Sequence, residues 1–175
     1  MRQILIPDAE RHMGLDLSLT STGIADTEGC CTLANKRRGT SRLIWVRDMV
    51  MERVRSAQPG FVTIEGYSMG SLGRQYDIGE LGGVIRVALT EEGVPFVCIP
   101  PTKLKKWATG KGNANKDTMI ENAIRRYGFT GHGNDEADAY LLYLMASTRS
   151  FDGLTAYQKD AVADVEWPSV SSRKA

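Results

Sequence analysis

No apolar run in this 175-residue chain approaches the roughly 20 residues that cross a bilayer, so the sequence offers no membrane span. Cysteine is scarce. The three present, Cys30, Cys31 and Cys98, are odd in number, two are adjacent, and no C-x-x-C spacing supplies a zinc or redox pair. They read as buried thiols. The opening "MRQILIPDAERH" has too short an apolar stretch for a signal peptide and carries acids, so the expected location is the cytoplasm. Net charge is nearly absent at +1, which by itself names no partner. There is no internal repeat and no low-complexity block. What remains is ordinary for a globular protein, 42% hydrophobic and 25% charged, with length for one well-cored domain and too little for two.

Periodicity supplies the outline. "MGLDLSL" (13–19) alternates as a strand with Asp16 in its middle, "GIADT" reads as a second strand, and "CCTLAN" as a third. Helical spacing of Leu43, Val46, Val50 and Val54 predicts a helix over 41–56. "FVTIE" (61–65) is a β-rich run ending in Glu65, followed by a glycine-bearing loop and a helix over about 74–92. "VPFVCIP" (94–100) reads as a buried strand halted by Pro100 and Pro101, leading into a lysine-rich loop. Two further helices follow, over 116–127 with Gly128 as C-cap, and over about 134–146 with Asn134 as N-cap. The order β-β-β-α-β-α-β-α-α predicts an α/β domain over 1–150, a mixed sheet flanked by helices. Residues 151–175 hold a short amphipathic piece, "TAYQKDAVADVEW", and a polar tail whose composition predicts disorder.

Charge is informative locally. Lys103, Lys105, Lys106, Lys111 and Lys116 fall in one stretch without an acid. A solubilising surface explains such a run, and so does a phosphate-binding stripe. Trp107 within it can stack on a base or anchor the segment to the core. Arg37, Arg38 and Arg42 stand at the entry to the first helix. A solvated helix start accounts for them, and contact with DNA is the other reading.

The acids stand at structural punctuation points. Asp16 lies within a strand, Glu65 ends one, and "NDEAD" crowds Asp135, Glu136 and Asp138 into a helix start. Acids in a first turn favour the helix dipole, which explains any one of them. At about 100° per residue, Asp135 and Asp138 return to within roughly 60° of each other, whereas Glu136 turns away and reads as solvated or lysine-paired. Convergence of Asp16, Glu65, Asp135 and Asp138 at one sheet edge would give an oxygen-only site suited to Mg²⁺ or Mn²⁺ and to two-metal phosphoryl transfer.

The set "GLDLSLTSTGIA", "VTIEGYS", "PTKLKKWATGKGNANKDTM" and "GNDEADAYLL" resembles the RuvC-type Holliday-junction resolvases of the RNase H-like superfamily, in order, over about 13–146. The D-x-S-x-x-x-T-G form of the first motif is closer to phage-encoded members than to the common bacterial form. The resemblance implies an RNase H-like fold with a central five-stranded mixed sheet, its first three strands antiparallel. It implies Asp16, Glu65, Asp135 and Asp138 as ligands to two Mg²⁺ ions, with Mn²⁺ able to substitute, and Lys105 and Lys116 near the site. It also implies a homodimer acting on four-way DNA, leaving 5′-phosphate and 3′-hydroxyl ends. The helix bearing Gly79, Gly82 and Gly83 matches one that contributes to the family's dimer interface. The plainer reading is close packing onto its own sheet. Lys103, Lys106, Lys111, Tyr67 and Arg74 are expected DNA contacts. In bacterial members an aromatic residue stands three positions after the second acid; here that position is Ser68, with Tyr67 and Met69 beside it. His132, near the last acids, reads as a loop histidine between glycines. A broader flap or branch nuclease is the nearest rival reading, and a binding protein without catalysis is another. A heat-shock-type ATPase shares only the first motif and needs a second lobe for which there is no room.

Overall fold

The computed structural model describes residues 11–66 and 72–169, with backbone alone for 72–77. Five strands form one sheet in the order β3-β2-β1-β4-β5: β1 (His12–Asp16), β2 (Ser21–Asp26), β3 (Gly29–Ala34), β4 (Phe61–Glu65) and β5 (Phe96–Ile99). β1, β2 and β3 are antiparallel neighbours, and β4 and β5 run parallel to β1. The helices are α1 (Gly39–Ala57), α2 (Leu72–Glu91), α3 (Pro101–Thr109), α4 (Lys116–Tyr127), α5 (Asn134–Thr148) and α6 (Ala156–Ala163).

Strand alternation sorts the core into two layers. Met13, Leu15, Ile24, Val62 and Ile64 face α1 and α2, packing with Val46, Val50, Leu81 and Ile85. The opposite face carries α5, flanked by α3 and α4, with α6 packed on α3. On that side β1 and β2 present glycine. A Cβ on Gly14 would lie 2.1 Å from the Ala139 carbonyl oxygen, and one on Gly23 would lie 2.0 Å from that of Asp135. The helix backbone therefore rests directly on the two strands, which sets where its acidic first turns sit.

The segment expected as a lysine-rich loop is helical. Pro101 at N1 is compatible with a helix start, because its missing N–H is one the first turn leaves unpaired anyway. Leu104, Trp107 and Ala108 form the buried stripe of α3. Trp107 is fully buried and stacks on Tyr127 at 5.0 Å, so it is an anchor for α3 and is not available to a base. Strand β5 is the sheet's edge and is not a fully buried strand; Cys98 on it is exposed, and Cys30 and Cys31 are half-buried, contrary to the expectation of three buried thiols.

The amphipathic piece after 150 folds back as α6. Thr155 and Gln158 close it with a capping box, and Ala161 and Val162 join the α3–α5 core. The Gln158 amide donates to the Tyr127 hydroxyl at 3.2 Å. On α2, a Cβ at Gly79 or Gly83 would meet nothing within 4 Å, and Val87 is 58% exposed. Packing against its own sheet is therefore not what these two glycines serve.

Candidate active site

The parallel strands β1 and β4 end together. Their register pairs Leu15 with Ile64, so continuing it brings Asp16 beside Glu65. Both follow residues that point to the α1–α2 layer, so alternation turns both carboxylates to the α5 face. Helix α5, held down on Gly14 and Gly23, brings Asp138 over the same spot. One carboxylate oxygen from each of Asp16, Glu65 and Asp138 lies within 4.8 Å of the others.

Such a cluster is unfavourable on its own. Burial first, then the Glu65 and Asp138 charges, hold Asp16 well above the usual carboxylate range, and its carboxyl hydrogen-bonds to Glu65. Burial raises Glu65 as well, opposed by that hydrogen bond and by the ammonium groups of Lys105 and Lys116. Asp138 is pushed up to about 7, by burial and then by Glu65. Three oxygen donors that repel one another fit a hard divalent cation, which would offset the repulsion that otherwise protonates them. Asp135, grouped with them from sequence, lies close enough to add its charge to all three but outside the 4.8 Å set. It stands one turn nearer the helix start, where its backbone rests on Gly23 of β2.

The remaining acid has a separate task. Glu136 is neither free in solvent nor paired with lysine: its Oε1 accepts from the Thr32 hydroxyl at 3.0 Å and its Oε2 from the His132 N–H at 3.2 Å. It ties the α5 start to β3 and to the preceding loop. The His132 side chain is exposed, as befits a loop histidine.

The lysine stripe divides by helix face. Lys105 on α3 and Lys116 at the start of α4 act on the Glu65 and Asp138 charges. Lys103 and Lys106 turn instead to α6, where Lys103 pairs with Asp164 at 3.4 Å and Lys106 pairs with Asp160. These surface pairings are invisible without knowing that α6 folds back, and they leave both ammonium groups near the surface. Lys111 is exposed in the α3–α4 turn. Tyr67, Ser68 and Met69 lie outside the described residues, and Arg74 is described only by its backbone in α2. Missed from sequence is a pocket of about 250 Å³ beside Glu65, lined by Gly66, Gly82, Arg86, Cys98 and Pro100.

The raised acids set a pH dependence. A carboxyl whose folded pKa exceeds its unfolded one contributes stability below the unfolded value and loses it as pH rises through the folded value. For Asp138 that window runs from the ordinary aspartate range to about 7. The metal-free protein is expected to melt at lower temperature as pH rises through this window. Excess Mg²⁺ should restore melting temperature most above it, where the ligands are ionised. Thermal melts across pH with and without Mg²⁺ check this, and a melting temperature indifferent to both would contradict it.

A family model described as crossover junction endodeoxyribonuclease RuvC matches residues 13–143. The chain is 32% identical over 139 residues to the crossover junction endodeoxyribonuclease RuvC of Anaeromyxobacter sp. (strain Fw109-5), covering 79% of this chain and 67% of that one. It is 27% identical over 165 residues to the same-named protein of Paenarthrobacter aurescens (strain TC1), covering 83% and 85%. In fold it resembles Thermus thermophilus RuvC in complex with Holliday junction substrate, with a TM-score of 0.65 at 20% identity over 81% of this chain and 93% of the other.

Proposed function

The chain belongs to the crossover junction endodeoxyribonuclease RuvC family, and from that premise we propose that it is a Mg²⁺-dependent endonuclease resolving four-way DNA junctions by paired symmetric nicks. The observation that carries the reading is the convergence of Asp16, Glu65 and Asp138 at the end of two parallel strands, with Lys105 and Lys116 beside them. Asp16, Glu65 and Asp138, joined by Asp135, would hold two Mg²⁺ ions, or Mn²⁺ in their place, which supply a water deprotonated near neutral pH and neutralise charge on the phosphate. The carboxylates would hold the cations over the strand ends, where the reacting phosphate would be neutralised, while Lys116, aided by Lys105, faces the charge that builds on it. In-line displacement leaves a 5′-phosphate and a 3′-hydroxyl. The enzyme acts in the cytoplasm.

A two-fold junction is matched by a two-fold protein, so the working form is a homodimer with one site per strand. The stripe of half-buried Gly79 and Gly83 with exposed Val87 on α2 suits close approach by a second copy.

Lys116→Ala is expected to lower kcat by about 10²-fold or more with KM little changed, because its charge matters most in the transition state. Single-turnover cleavage against junction binding separates the two; an equal loss in both would make Lys116 a mere binding residue. The test of the overall reading is cleavage of labelled four-way, three-way, flap and linear DNA with Mg²⁺. Paired nicks confined to the four-way junction support it. Efficient cutting of flaps and three-way forms supports the broader branch nuclease, the alternative raised by Ser68 where bacterial members carry an aromatic residue.

A further inference from the structure

Helix α1 treats its basic residues in two ways. Toward its C-terminal end the arginines are paired: Arg47 with Asp48, Arg53 with Asp26 and Glu28, and Arg55 with Glu92. At its start, Lys36, Arg37, Arg38 and Arg42 have no carboxylate partner among the described residues. Lys36, Arg37 and Arg38 are exposed in succession. Arg37 is held with its guanidinium over the Trp45 ring at 4.7 Å. The Nε of Arg42 is shielded yet has no acceptor in the protein. No acid stands in the first turn of α1 and no side chain caps it, so nothing local offsets this positive charge.

Position gives the patch its meaning. Asp16 pairs across β2 with Gly23, which pairs with Thr32 on β3. Strand β3 runs the same way as β1, so its last residue, Ala34, leaves the sheet at the edge where the acids converge. Two strand spacings sideways and two residues onward put Ala34 about 12 Å from Asp16. Residues 35–38 follow, with Asn35 tied to the loop after β1 by its N–H to the Thr20 carbonyl at 3.1 Å and its amide to that of Leu19 at 3.4 Å. Lys105 and Lys116 lie on the other flank, on helices that follow β5. The carboxylates thus sit between two basic flanks, and only the α3–α4 flank is accounted for by the reaction.

We propose that Lys36, Arg37, Arg38 and Arg42 form a second phosphate-binding surface, which holds a duplex arm of the branched substrate away from the cut. The inference rests on the proposed nuclease function, since it takes the substrate to be DNA. Contacts of this kind carry no sequence information; they set register and strengthen binding. Their partner is the phosphate backbone of double-stranded DNA.

The test is binding of the full-length protein to a four-way junction across a salt series. Each lost phosphate contact lowers the log K against log salt slope by about 0.9, so Lys36→Ala/Arg37→Ala/Arg38→Ala should lower it by about 2 to 3. Affinity should fall at least about tenfold at moderate salt, with kcat at saturating junction unchanged. The control Arg47→Ala/Arg55→Ala removes paired cations from the same helix and should leave the slope alone. Shortening the arms below the reach of residues 36–42 should erase the difference between wild type and triple variant. The proposal is overturned if the triple variant keeps the wild-type slope while wild type binds and cuts, or if the control lowers the slope equally. A wild type that binds no branched DNA would bring down the nuclease reading as well, which is a distinct result.

Discussion

Asp16→Asn is expected to abolish junction cleavage, by well over about 100-fold, while leaving binding to branched DNA largely intact. Outer partners of metal ligands alone are typically worth 10–100-fold, and Asp16 sits in the innermost set. The amide keeps the shape but removes the charge that a hard cation requires. The lysines and arginines that would meet the backbone are untouched, so binding should survive. A second consequence separates this from simple damage. Because burial and its neighbours hold Asp16 far above its usual range, the carboxylate is a liability to the metal-free fold at neutral pH and above. Removing it should leave the metal-free melting temperature unchanged or higher and abolish the rise on adding Mg²⁺. A variant that cuts at the wild-type rate, or one that simply unfolds, would contradict the assignment.

Gly14→Val is expected to be strongly destabilising. Its first side-chain atom would fall 2.1 Å from the Ala139 oxygen and 2.7 Å from the Tyr143 nitrogen, both backbone atoms of α5. A flexible side chain could yield, but a helix backbone packed on the sheet must move as a body. Overpacking costs typically 1–3 kcal/mol where side chains can adjust, and this site should exceed about 3 kcal/mol. Lifting α5 also withdraws Asp138 from Asp16 and Glu65, so any folded fraction should be inactive. Thermal melts with a cleavage assay check both halves. A Gly14→Val protein that melts like wild type would show that α5 is not seated on β1 as described.

These two predictions draw on different kinds of legibility. The acids were readable because their residue type and placement, at a strand, a strand end and a helix start, are chemically unusual. Asp16, Glu65 and Asp138 do converge. Asp135 stands three positions before Asp138 on α5, but periodicity fixes direction only, and it lies beside the tight set. The close seating of α5 was not readable: Gly14 and Gly23 carry no signal of what lies above them. Helix α4 was plain because Gly128 ends it, with φ of 73°, whereas its N-cap Asn115, accepting from the Thr118 N–H at 2.9 Å, was not read as one. Asn134, read as a cap, is the first helical residue of α5, and Gly133 precedes it without a side chain to offer. Helix α3 was missed because Pro100 and Pro101 read as a stop, although Leu104, Trp107 and Ala108 already stood at helical spacing. That miss had a cost, since the lysines were treated as one stripe. On a helix they part, Lys105 toward the acids and Lys103 and Lys106 toward α6. Exposed pairs like these are worth at most about 1 kcal/mol, so α6 is held chiefly by Leu154, Ala161 and Val162.

The family's activity requires a metal-dependent cut that leaves matched, rejoinable ends on opposing strands. The measurement that tests this most directly is digestion of an end-labelled four-way junction with Mg²⁺ or with EDTA, followed by DNA ligase. The expected result is a pair of symmetric nicks in Mg²⁺ that ligase seals without prior treatment, and no cutting in EDTA. Cleavage that persists in EDTA, or ends that ligase cannot join, would contradict it.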